Sequence, residues 1–511
     1  MKELFLDISI ALLVLLFAIF GLSAAGFLFH LTITPIYSIL ASIIASSVLF
    51  IRLKSKNTPL HKIFYIFASI TLFLLITGFI QYKCTDFSFD GCWYHQACII
   101  NLKWGWNPVY DRIYEFSKSQ PYTFKASLTF MEGYMKGYEI LAANIYSLIG
   151  KIEIIKVIKC IFALISFMYL FYSLSAFEKL SKPACTVLSF LFVYNPVCIY
   201  QFFTNYNDDV VYYLFLIFLF SLINYARNTD LKDNFSVMII SSVLLACTKA
   251  NGLYFVVIMY LVWLAFYFSK PFAKNIFLSF LLIAIFTVNP ILTNIKYGNS
   301  PFYPIVKGSF AESFDSYIVD VPAGFENKNH FEKIFISLSS YPLLDSVLFK
   351  HPKHYELKTP FSGYKGAAFI YPDMRLSGFG HFFVEVIILS LILLPFIRFR
   401  EKSDKKLFLC AFLSVFLTVI LMPLAWWARY VPQMWILPLL TSLMFLLENS
   451  KKYYAYIVLT LIFINSFIIN FQNWSVQIEN NKHKELIMRL EPYPMSETLP
   501  VKRLEIENTK K

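Results

Sequence analysis

The chain has 511 residues, of which 58% are hydrophobic, 19% aromatic and only 15% charged. That balance is far more apolar than a soluble enzyme of this length and marks a polytopic membrane protein. The formal net charge of +13 is no sign of nucleic-acid binding, because the cations cluster in short loops between apolar runs.

Runs of roughly 18 or more nearly uncharged residues recur, as a hydrocarbon core of about 30 Å demands of a helix. They predict an all-α fold with about thirteen transmembrane helices, near 4–29, 33–51, 63–81, 154–176, 184–204, 209–225, 235–249, 251–268, 275–293, 381–397, 407–426, 430–447 and 453–471. The basic clusters fall on every second connection: Arg52, Lys54, Lys56 and Lys62; Lys179 and Lys182; Arg227 and Lys232; Lys270 and Lys274; Arg398, Arg400, Lys402, Lys405 and Lys406; Lys451 and Lys452. Basic loops stay inside, so these loops and the N-terminus are expected in the cytoplasm. The tips at Asn205–Asp209, Lys249–Asn251 and Trp426–Tyr430 are then external. The small residues of "GLSAAG" also fit a signal peptide, but Glu3, Asp7 and the span that follows favour an anchored helix.

Six segments result: N-terminal spans (1–81), an external loop (82–153), central spans (154–293), an external cap (294–380), C-terminal spans (381–471) and an external polar tail (472–511) expected to be partly disordered. Within the first loop, Trp93, Ala97, Ile100 and Trp104 recur at helical spacing, as in a helix lying on the membrane surface. Trp106-Asn107-Pro108 ends it. A second such helix, over 134–149, carries Tyr138, Leu141, Ile145 and Leu148 and is too short to span. Among eight cysteines, Cys160, Cys185, Cys198, Cys247 and Cys410 sit in or beside apolar spans as packing groups. Cys84, Cys92 and Cys98 are external, and whether two of them form a disulfide stays open. No metal-type Cys/His spacing, P-loop, Rossmann glycine pattern or His-Glu-x-x-His appears.

Four polar groups lie at the external ends of spans: Asp86 and Asp90, Asp208 and Asp209, Lys249, and Arg429. An ionisable residue at membrane depth is costly unless paired and is therefore a functional candidate. A carboxylate can act as general base, and cations can neutralise a leaving phosphate. Each also has a structural reading. Asp90 before Gly91 suits an N-cap, as do Asp208 and Asp209 for the sixth span. Lys249 and Arg429 suit snorkelling to headgroups, His95 an interfacial hydrogen bond, and Trp104, Trp106, Trp426 and Trp427 an aromatic belt.

"DGCWYH" (90–95) resembles the Asp motif in the first large external loop of GT-C integral-membrane glycosyltransferases, near the protein O-mannosyltransferase and lipid A aminoarabinose transferase branch. "NDDVVYYLFLIFLF" (207–220) is similar to the second acidic position of that branch, and "CTKANGLYF" (247–255) to its Thr-Lys-x-x-Gly turn. "YGNSPFYP" (297–304) resembles its Gly-Asn-x-Pro-x-x-Pro segment, and "WWARYVPQMWILPLL" (426–440) its Arg-Tyr-x-x-Pro helix start. In that branch the Asp motif follows the first span; here it follows the third, and Gly91 stands where an acidic residue often comes next.

The resemblance implies sugar transfer from a polyprenyl-phosphate-linked donor to a glycan, lipid or protein acceptor, by a single inverting displacement at the external face of a bacterial cytoplasmic membrane. Membrane lipids are the surrounding partner, with no nucleic acid and no cofactor or metal implied. Asp90 would be the base, with Asp86 the alternative. Lys249 and Arg429 would hold the lipid phosphate, Asp209 would orient the acceptor or one of those cations, and Tyr94, His95, Asp208, Trp427 and Tyr430 would contact substrate. Two other functions fit an external site less closely. A polysaccharide polymerase or ligase would mark Arg375 with His381, and a transporter or lipid flippase would place polar groups near mid-membrane with an internal repeat.

Overall fold

The computed structural model describes the chain except for residues 87, 119–127, 304–321, 323, 326, 344–353, 362–372, 400, 449–450 and 483–511. It is an all-α polytopic membrane protein. Among the described residues, eight helices are long and apolar enough to cross a membrane, or nine if one bent pair counts as a single span.

The N-terminal part holds α1 (Lys2–Leu28), α2 (Pro35–Ser55) and α3 (Leu60–Lys83). A π-helical turn, Gly91–His95, then leads into α4 (Gln96–Lys103), followed by α5 (Ile113–Lys118), α6 (Leu128–Gly133) and α7 (Gly137–Ile149). The central part is α8 (Val157–Leu174), α9 (Lys182–Val193), α10 (Pro196–Gln201), α11 (Asp208–Ala226), α12 (Leu231–Thr248), α13 (Ala250–Tyr267), α14 (Lys270–Phe286) and α15 (Thr293–Lys296). The cap contributes α16 (His330–Ser339) and a two-stranded antiparallel sheet of β1 (Ser340–Leu343) and β2 (His354–Leu357), with Ser340 opposite Leu357. The last four helices are α17 (Phe383–Leu393), α18 (Lys402–Ile420), α19 (Ile436–Glu448) and α20 (Lys452–Lys482).

Several expected spans are broken for local reasons. The run over 184–204 stops at Val193, and Asn195 restarts a short α10 by accepting the Val197 N–H. Pro196 there has no amide hydrogen to continue the earlier helix. The run over 275–293 ends at Phe286 and bends by 62° into the segment that reaches Lys296. The expected span from 430 opens instead with two 3-10 turns, Ala428–Tyr430 and Pro432–Trp435. Beyond 471 the polar tail continues α20 as far as Lys482, and the rest of that tail, with nearly half of the cap, lies outside the described residues. All eight cysteines are buried, unbridged thiols.

Burial orders the bundle. A helix apolar all round belongs inside, and α11 is 89% buried over its apolar window, whereas α3 at the periphery is 11% buried. The basic-loop ends of the helices are tied together by Arg52, which donates to Asp7 at 2.8 Å and to both oxygens of Asp233 at 2.9 and 2.7 Å. Lys56 joins them through Asp7. At the opposite end, the turns around 84–90, 201–209, 249 and 426–430 converge, and these carry the sequence-predicted residues.

Candidate active site

Asp90 does not cap the helix that follows it. Its backbone is already helical (φ −62°, ψ −33°) and its side chain makes no capping bond. The carboxylate instead accepts from Arg429 Nη1 through Oδ2 at 2.7 Å. The turn that presents it is built by Asp86, whose Oδ1 accepts from the Ser88 N–H (2.8 Å) and hydroxyl (2.6 Å), while Oδ2 accepts from the Asn205 N–H at 2.7 Å. Asp86 is fully buried, so its geometry suits a turn organiser and not the alternative base. Gly91 belongs to the same device, because a Cβ there would land on Ser88 Oγ and the Asp86 carboxylate. Position 91 therefore has no room for a side chain, acidic or otherwise. A π-turn directly after Asp90 is also notable, since such turns occur frequently at functional sites.

Arg429 lies in the Ala428–Tyr430 turn with its side chain only 6% exposed. Its Nε stands 3.0 Å from Asp373 Oδ1, so one guanidinium bridges two carboxylates. The rings of Trp427, Tyr206 and Tyr430 surround it, with centroids at 4.5, 5.0 and 5.3 Å. Burial opposes this charge, but Asp373 and Asp90 outweigh it and hold Arg429 protonated, above its usual range. Asp373 comes from the cap. Its Oδ2 accepts from Arg375 Nε at 2.8 Å, and its carbonyl accepts from Trp427 Nε1 at 2.6 Å. Trp427 is therefore buried beneath two guanidiniums, with Arg375 at 4.2 Å, instead of forming a membrane belt.

The adjacent acidic pair separates. Lys249, in the extended link between α12 and α13 (φ −156°, ψ 152°), pairs with Asp208 and lies 5.2 Å over the Tyr430 ring. It does not snorkel away from the protein. Asp208 also accepts from Gln201 Nε2 at 3.0 Å. Asp209 turns inward to a different cation, Lys159 of α8, at 3.0 Å, with neither side chain exposed. Lys159 further donates to the carbonyls of Gln201 (2.9 Å) and Tyr206 (2.5 Å). The sequence links Asp209 with Lys249 or Arg429 and not with Lys159, although a lysine inside the apolar run over 154–176 was the available signal.

His95 and Tyr94 also point inward. His95 Nδ1 lies 2.5 Å from Glu139 Oε1, and both residues are buried. Tyr94 is buried against Phe130 and Tyr134, and burial pushes its hydroxyl well above the ordinary range. Their position suits support of the Asp90 turn more than substrate contact. The spacing over 134–149 predicts only a surface helix and gives no sign of Glu139 or Lys136 as buried polar groups. In fact Lys136 donates to the carbonyls of Glu132 (3.0 Å) and Tyr134 (2.7 Å) and to Asn289 Oδ1 (2.7 Å).

Two charged groups of this cluster retain access. The Asp90 side chain is 13% exposed and that of Lys249 is 16% exposed. Lys249 and Arg429 share the Tyr430 ring, so the partly open Asp90 carboxylate on Arg429 and the partly open Lys249 ammonium belong to one cluster. That pairing can accept a proton from a hydroxyl on one side and hold an anion on the other. Among the described residues, no group of three or more His, Cys, Asp or Glu side chains converges as metal ligands do. No family model, curated protein or solved structure matches this chain.

Proposed function

We propose that the chain is a GT-C-type glycosyltransferase that moves a sugar from a polyprenyl-phosphate-linked donor to an acceptor hydroxyl, at the end of the bundle opposite its basic loops. With about thirteen crossings and the basic loops inside, that end faces the exterior of a bacterial cytoplasmic membrane. Nucleotide sugars are made inside, so an outward site calls for a donor already carried across on a lipid. The observation that carries the reading is the partly open Asp90 carboxylate, fixed by Arg429 beside Lys249.

In this reading Asp90 takes the acceptor proton through the oxygen that Arg429 leaves unused, as the hydroxyl attacks the anomeric carbon with inversion. Lys249, the more open cation, holds the donor phosphate and stabilises it as it leaves. Arg429 is bound to two carboxylates, so its role shifts from phosphate binding to positioning Asp90. The cap closes over the acceptor through Asp373 and limits hydrolysis of the donor. The test is transfer of labelled sugar from a series of polyprenyl-phosphate donors by protein in nanodiscs. Lys249→Met is expected to raise the donor KM, and absence of transfer from every donor would count against the reading.

A polymerase or ligase remains the second reading because Arg375 of the cap reaches the same cluster through Asp373. His381, the other residue of that pair, bonds instead to Gln472 at 3.3 Å.

A further inference from the structure

Large apolar side chains of the cap stand in the open on one helix and at the corner after β2. Phe331 and Phe335, one turn apart on α16, are 63% and 58% exposed, and Leu357 of β2 and Phe361 beyond it are 62% and 63% exposed. A cap standing in water would not be expected to present such a set.

Hydrogen bonds fix the depth at which these residues lie. The His330 ring pairs through Nε2 with the carbonyl of Ile420, the last residue of α18, at 2.9 Å. The Phe361 N–H donates to Glu385, in the first turn of α17, at 2.9 Å, and Lys358 reaches the same carboxylate at 3.2 Å. Both edges of the cap therefore lie level with the ends of two apolar helices. Those helices carry exposed apolar side chains along their length, Ile388, Leu391 and Ile392 on α17 and Phe416 on α18; Ile388 lies one turn from Glu385, and Leu421 follows Ile420 directly. Exposed apolar side chains of both helices thus flank the two points at which the cap is held.

We propose that α16 and the β2–Phe361 corner form a membrane-docking surface. The cap lies in the headgroup layer at the site's end of the bundle, with Phe331, Phe335, Leu357 and Phe361 inserted at the acyl boundary. Lipid is the occupant because the bilayer already reaches the ends of α17 and α18, whereas a protein partner would have to displace it. The other face of α16 is bonded to the site. The Ser337 hydroxyl donates to the Trp426 carbonyl at 2.5 Å, and its own carbonyl accepts from the Ser377 N–H at 2.8 Å. Docking would thus set the position of the turns that carry Arg375 and Arg429, whether or not the chain transfers sugar.

The test uses the full chain in nanodiscs of phosphatidylethanolamine and phosphatidylglycerol. All eight native cysteines are buried, so an environment-sensitive fluorophore can be placed selectively at Phe335→Cys or Glu332→Cys, both exposed positions of α16. The label at 335 is expected to shift to the blue and to lose emission when phosphatidylcholine brominated near the headgroup is included, while the label at 332 does neither. Water-like emission at 335 would overturn the proposal. So would a blue shift that bromine leaves unquenched and that disappears at one chain per disc, which would mark the patch as a contact between copies.

Discussion

The guanidinium of Arg429 donates to Asp90 across 339 residues of sequence, at 2.7 Å, and its Nε also lies 3.0 Å from Asp373. The cation therefore joins the first loop, the cap and the turn before α19 at one point. Arg429→Gln leaves two carboxylates facing each other with little solvent, and loss of one partner from a buried pair costs about 3–5 kcal/mol. The expected result is a marked drop in melting temperature in detergent. Arg429→Lys retains the charge but not the two-armed geometry and should fall between. Wild-type melting of Arg429→Gln would refute the structural role.

Gly91→Ala should be destabilising although alanine is ordinarily the better helix former. Its Cβ would meet Ser88 Oγ and Asp86, which already bond each other and hold the turn. Overpacking of this kind costs about 1–3 kcal/mol, and thermal unfolding measures it directly. A stabilised Gly91→Ala protein would mean that the turn relaxes freely.

The buried Lys159–Asp209 pair lends itself to a double-mutant cycle. Either Lys159→Met or Asp209→Leu alone strands a charge inside the bundle and should cost about 3–5 kcal/mol, while the combined variant should recover a large part of that loss. Recovery will be incomplete because Lys159 also serves two backbone carbonyls. Strictly additive losses would show that the two charges are not coupled.

Lys136 gives a prediction in pH. Burial lowers its ammonium to about 8 from 10.5, only partly offset by Cys98, Glu139 and Glu132. Between those values the unfolded chain binds more protons than the folded one, so this residue's contribution to stability rises as pH rises through the window. Lys136→Met is free of the penalty at lower pH. Its melting temperature relative to wild type should therefore be most favourable below pH 8 and decline toward pH 10, measured by unfolding at a series of pH values. A difference that stays constant with pH would contradict the shift.

The long helices were legible because an apolar run of about 20 residues has few other uses. Hydropathy could not see the break at Asn195-Pro196, where one missing amide hydrogen decides the outcome while the apolar composition continues. At the site, order along the chain pointed to Asp90, Lys249 and Arg429, but not to which charge meets which. The partner of Asp209 is buried in α8, and that of Arg429 includes Asp373, in a stretch of the cap with no helical period to read. Pairing at such separations is set by helix packing, which single-sequence spacing does not encode.

The most direct test of the central claim is the rate of sugar transfer from a polyprenyl-phosphate donor by Asp90→Asn protein in nanodiscs, with donor binding measured in parallel. A positioned base contributes about 10²–10⁴-fold, so the rate should fall by that order while donor affinity stays near wild type. Turnover that matches wild type would remove Asp90 as the base and leave its bond to Arg429 as architecture alone.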